Sequence, residues 1–196
     1  IFDVQIMRGR EDHLKMKIGN QNYQSIWIDE SDPAVVKVID QQKLPFFFET
    51  KELRSVDDIF YAIEDMTVRG APLIGAAGAF GLYLARLEIN SKKNIREHLS
   101  NAARYLISSR PTAANLSWAV NYAMGKLNKD LSSKSLSGTA LEAAIEICEK
   151  EKENCRQIGY HGLKLIKSIS KKKKGTPVNI LTHCNAGWLA CIDYGT

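Results

Sequence analysis

The longest apolar stretch of the chain, APLIGAAGAFGLYLA from Ala71 to Ala85, constrains the fold more than any other segment. It falls short of the ~20 residues that a membrane-spanning helix needs, so it is expected to be a helix buried inside a folded protein. Gly75, Gly78 and Gly81 step by three along it. Each such glycine costs about 1 kcal/mol relative to alanine in a helix interior, so something must approach that face closely. Tight packing of another helix is the favoured explanation, ahead of ligand contact.

A core around such a helix is within reach of this composition. The 196 residues are 44% hydrophobic and 25% charged, which describes a soluble globular chain with one substantial core or two small ones. The opening IFDVQIMRGREDH has no apolar run followed by a small-residue cleavage site, so no secretory signal is expected, and a start at Ile1 suggests missing residues. Cys148, Cys155, Cys184 and Cys191 form no CxxC pair, which makes a reducing, cytoplasmic setting the default. Their spacings match neither a zinc knuckle nor a zinc ribbon, so no metal is expected. Cys148, Cys155 and Cys191 read as small buried hydrophobes. The net charge of +5 comes from scattered lysines, apart from Lys171 to Lys174, which reads as a solvated loop. Basic and aromatic residues do not interleave as a single-strand groove requires, so nucleic acid is not an expected partner, and with no stretch long enough to span a bilayer neither is a membrane.

The expected architecture is α/β, with a small N-terminal antiparallel β-sheet plus helices and then the start of a Rossmann-like parallel α/β domain. Strands are expected in NYQSIWID (22–29), AVVKVID (34–40) and LPFFFETKELR (44–54), joined by short polar connections that include Gln41 and Gln42. Ser55 caps a helix carrying Val56, Ile59, Phe60 and Ile63 at helical spacing, with Asp57 and Asp58 in its first turn. Further helices are expected from Pro72 to about Glu88, Ile95 to about Ser109, Thr112 to about Leu127 and Thr139 to Ile169. The Ser-rich KDLSSKSLSG (129–138) is the best domain boundary, dividing the chain into residues 1–137 and 138–196. PVNILTHC (177–184) reads as a strand buried on both faces of a parallel sheet. Its neighbours require crossovers for which no residues remain, so that domain is expected to continue beyond Thr196.

Three places carry the candidate chemistry. In VRGAP (68–72) and SSRPT (108–112) an arginine stands before a proline that fits a first helical turn, which puts Arg69 and Arg110 at helix N-termini. Free N–H groups, the helix dipole and a guanidinium together suit a phosphate. The third place is NILTHCNAG (179–187), where Cys184 would end a strand and Asn185, Ala186 and Gly187 would turn into the next helix. Ligands of open α/β sheets bind at that end of a strand, and a thiol there can act as nucleophile or proton-transfer group.

The segments MTVRGAPLIGAAGAFGLYLA, SRPTAANLSWAV and ILTHCNAGWLACIDYGT together resemble the methylthioribose-1-phosphate isomerases of methionine salvage, which share their fold with the regulatory subunits of translation initiation factor 2B. The resemblance runs from about Ser25 to Thr196. It implies the aldose–ketose isomerisation of 5-methylthioribose 1-phosphate to 5-methylthioribulose 1-phosphate, without metal or redox cofactor, in a homodimer. It implies that Arg69, Gly70, Ala71 and Arg110 bind the sugar phosphate and that Cys184 is catalytic. An acid/base aspartate belongs beyond Thr196, and Asp193 does not match it by motif. A cis-enediol route and a hydride shift both remain open.

Two other readings stay in view. A ribose 1,5-bisphosphate isomerase of the same superfamily tends to have serines after the Cys-Asn pair, where this chain has Ala186 and Gly187. A non-catalytic regulatory subunit typically loses the Cys-Asn-Ala-Gly signature, which is intact here.

Overall fold

The computed structural model describes residues 17–19, 21–89, 94–129 and 136–196. A two-residue pair, β1 (Lys17–Ile18) with β2 (Gln21–Asn22), precedes a three-stranded antiparallel meander of β3 (Ile26–Ile28), β4 (Val36–Ile39) and β5 (Thr50–Leu53). Ile26 pairs with Val38 and Val36 with Leu53, which places these apolar side chains on the covered face. Five helices follow: α1 (Val56–Glu64), α2 (Ala71–Glu88), α3 (Ile95–Ser108), α4 (Ala114–Lys129) and α5 (Leu136–Lys173).

Local chemistry sets the helix starts. The Ser55 hydroxyl accepts from the Asp58 N–H at 3.1 Å, and the Asp58 carboxylate accepts from the Ser55 N–H at 3.0 Å, closing a capping box on α1. The apolar stretch 71–85 becomes α2, buried from Leu73 to Ala85 and touched by α1, α3, α4 and α5. Its glycines are packing glycines: a Cβ on Gly78 would lie 2.5 Å from Leu116, and one on Gly81 would lie 2.8 Å from Leu106. Fully buried Leu73, Leu82, Leu99, Leu106, Leu116 and Leu127 converge there, each contributing ~1.5–3 kcal/mol through burial.

Several boundaries depart from expectation. The strand expected over 22–29 is interrupted, because the Ser25 N–H donates to Ile192 O at 2.9 Å rather than to a neighbouring strand. Leu44 to Phe46 lie in turns and 47–49 are irregular, with the N–H groups of Phe46 and Phe47 both donating to Lys43 O, so β5 begins only at Thr50. Helix α5 runs through Lys173, placing three lysines of the expected loop in its last turn, where the dipole favours cations. Lys174 and Gly175 then take positive φ and stop it. Residues 130–135 of the expected domain boundary lie outside the described residues. The first half of α5 packs its Leu136, Ala140, Ala143, Ala144 and Ile147 into the core around α2.

The run 177–183 has no regular secondary structure and pairs with no strand among the described residues, and Leu181 is 98% exposed. A ladder needs a neighbour, and none of the described strands lies alongside it.

Candidate active site

The site is built on the entrance to α2. Gly70 is its N-cap, with φ +114°, a region favoured only by glycine, and no side chain caps the first turn. Arg69, exposed, stands immediately before it. Gly70 is also in close contact with the chain's last segment, since a Cβ there would fall 2.4 Å from the Cα and Cβ of Ala190.

The second arginine is placed differently from expectation. Helix α4 begins at Ala114, not Thr112, and Arg110 to Ala113 form a turn closed by the Ala113 N–H donating to Arg110 O at 3.0 Å. Pro111 therefore belongs to the turn before the helix, and Arg110 stands about one turn upstream of α4. The two entrances are nonetheless side by side, because a Cβ on Gly75, in the second turn of α2, would lie 3.0 Å from Asn115 O at the start of α4.

The third component reaches the same place from the far end of the chain. Cys184 is exposed, with φ +65°, and the next residue carries the contact: Asn185 Nδ2 donates to Arg69 O at 3.1 Å. After Gly187, with φ +95°, the chain enters a 3-10 turn over Trp188–Ala190 rather than a long helix. The structure thus ties the thiol-bearing turn to Arg69 directly and sets the Arg110 turn at the neighbouring helix entrance.

Gln41 is part of this arrangement, although its sequence context gives only a polar connection. It is 4% exposed, its N–H donates to Thr67 O at 3.0 Å, and its Nε2 donates to Leu189 O at 2.6 Å. Ser25 adds a bond from its hydroxyl to Trp188 O at 3.1 Å. The only local hint was a glutamine pair directly after an apolar strand; its partners are too distant in sequence for periodicity to show them.

The other cysteines are buried. Burial pushes the Cys148 and Cys155 thiols up to about 12 and raises Cys191 as well. Asp193, 7% exposed, faces α5 rather than Cys184, lining a cleft of about 330 Å³ with Glu149, Lys152 and Arg156. Among the described residues no group of three or more His, Cys, Asp or Glu side chains could hold a metal ion. No described helix is long and apolar enough to cross a membrane.

The sequence profile of the initiation factor 2 subunit family matches residues 67–192, from the α2 entrance through the Cys184 turn. The chain belongs to that family. A methylthioribose-1-phosphate isomerase of Desulfatibacillum aliphaticivorans is 48% identical over 92% of this chain and 49% of its own length. One from Escherichia coli is 43% identical over 92% and 47%. Among solved structures, a 5-methylthioribose 1-phosphate isomerase from Pyrococcus horikoshii superposes with a TM-score of 0.76 at 29% identity, over 96% of this chain and 49% of that one. The delta subunit of translation initiation factor 2B from A. fulgidus superposes with a TM-score of 0.73 at 36% identity, over 89% and 48%. The chain therefore spans about half the length of the curated relatives it matches.

Proposed function

We propose that this protein is an aldose–ketose isomerase converting 5-methylthioribose 1-phosphate to 5-methylthioribulose 1-phosphate. The observation that carries the reading is the hydrogen bond from Asn185 to Arg69 O, which sets the Cys184 turn against the α2 entrance. Relatives 42–48% identical that bear the isomerase name support it.

In this reading the phosphate is held by Arg69, by the backbone at Gly70 and Ala71, and by Arg110 from the adjacent entrance. A positive helix end and two guanidinium groups suit a dianion held in a fixed position. The reaction is internally balanced: the C1–O4 bond of the ring breaks, the hydrogen on C2 ends on C1, the C2 hydroxyl becomes a carbonyl, and its proton ends on O4. It asks for no external oxidant or redox cofactor. Cys184 stabilises or protonates the oxygen on which charge develops. An acid/base aspartate and the remaining strands of a Rossmann-like domain, opened by residues 138–196, come in this proposal from polypeptide outside the 196 residues. That is in keeping with relatives about twice as long. A cytoplasmic homodimer completes the proposal.

The test is turnover of the full protein on methylthioribose 1-phosphate and on ribose 1,5-bisphosphate. Activity on the first is expected, falling roughly 10²-fold or more in Cys184→Ser. Near-normal turnover in that variant would overturn the role of the thiol, and activity on the bisphosphate alone would reassign the substrate. Turnover of neither favours a non-catalytic subunit, the reading to which the similarity with the delta subunit points.

A further inference from the structure

We infer that Gln41 is a positioning residue that sets the separation between Arg69 and Cys184, an inference resting on the isomerase reading above. The turn 184–192 meets the turn 67–71 at three points. At one end Asn185 Nδ2 donates to Arg69 O. In the middle Gly70 presses on Ala190, with no room for a Cβ. At the other end is Gln41, whose main-chain N–H holds Thr67 O while its side-chain amide holds Leu189 O at 2.6 Å. Among these contacts Gln41 is the residue that bonds to both turns at once, one bond from its backbone and one from its side chain.

Its surroundings make that brace specific. At 4% exposure the Gln41 side chain has little water to exchange partners with, and without it the carbonyl of half-buried Leu189 loses its donor. Gln42 reinforces the same loop by donating from its side chain to Asp65 O. Loop 40–42 is thereby fixed to the approach to Arg69 before it reaches Leu189. Removing the Gln41 amide frees the thiol-bearing turn to shift while leaving the cationic groups where they are. A misplacement of about 1 Å between reacting groups can cost on the order of 10²-fold in rate.

The consequence is a split between turnover and binding. In the full protein, Gln41→Leu is expected to lower kcat at least about tenfold. KM for methylthioribose 1-phosphate should stay within about threefold, because the phosphate contacts persist. Gln41→Glu supplies a second readout. The ionised carboxylate has no proton to donate to Leu189 O, whereas the protonated acid does, so the ratio of variant to wild-type turnover should rise as pH falls from about 8 to about 5. Tyr83→Phe is the control. It removes a hydrogen bond of 2.8 Å from a buried tyrosine to Pro33 O, remote from the site, and should lower the unfolding midpoint without moving kcat.

Amide exchange at Ala190 and Cys191, whose N–H groups donate to Gly187 O and Trp188 O, reads the brace without any activity. It should accelerate about tenfold in Gln41→Leu and not in Tyr83→Phe. If the wild type turns over substrate and Gln41→Leu matches it, or if KM rises with kcat unchanged, the inference is overturned. If the wild type turns over no sugar phosphate, the isomerase reading fails and the exchange rates alone decide the brace: unchanged exchange overturns it, accelerated exchange upholds it.

Discussion

At the scale of single residues, the four thiols divide by environment. Cys148, Cys155 and Cys191 are buried, and burial pushes the first two up to about 12, so their reactive thiolate forms are scarce near neutrality. Cys184 alone is exposed, on a left-handed backbone position that a non-glycine residue holds only where its surroundings impose it. Iodoacetamide at pH 8, read by peptide mass mapping, should therefore label Cys184 first and reach the other three only on unfolding. The buried thiols also make a pH-dependent contribution. Their folded values lie above the ordinary value of 9.0, so their stabilising effect is complete below about pH 9 and is lost as pH rises towards about 12. Urea midpoints measured across that range should fall for the wild type and fall less steeply for Cys148→Ala. Cys184 was legible as the thiol set apart from the buried ones because a turn signal followed it. Gln41 was not, since the residue it holds lies 148 positions away.

At the scale of elements, α2 and α4 show why a glycine is present for packing in one place and by default in another. A Cβ on Gly78 would meet Leu116 at 2.5 Å and Val120 at 2.9 Å, whereas one on Gly125 would meet nothing within 4 Å. Both substitutions to alanine gain about 1 kcal/mol of helix propensity, but crowding at Gly78 costs ~1–3 kcal/mol. Urea unfolding should show Gly125→Ala more stable than wild type and Gly78→Ala less stable; the same sign for both would contradict this packing. The five helices were legible because caps and 3.6-residue periodicity are local, as with Ser55 and Asp58. The strand limits and the start of α4 were not, because they are set by tertiary bonds such as Ser25 to Ile192 O and by the turn closed at Arg110 O.

At the scale of the whole molecule, α2 is the axis on which distant parts of the chain meet. Its buried length carries α1, α3, α4 and α5, and its first turns meet the start of α4 and the Cys184 turn. Ile158, Leu165, Ile169, Ile180 and Leu181 remain exposed on α5 and the irregular run that follows. The motif resemblance named the candidate residues, but only the fold shows the contact of Gly70 with Ala190 and the bonds of Gln41 to both neighbouring turns. The central claim, that Arg69, Arg110 and Cys184 serve one ligand, is tested most directly by the alkylation rate of Cys184 in the full protein with and without methylthioribose 1-phosphate. Saturating sugar phosphate should slow alkylation at least about tenfold in the wild type, and Arg110→Ala should abolish that protection at the same ligand concentration. An alkylation rate indifferent to the sugar phosphate in a protein that binds it would contradict the claim.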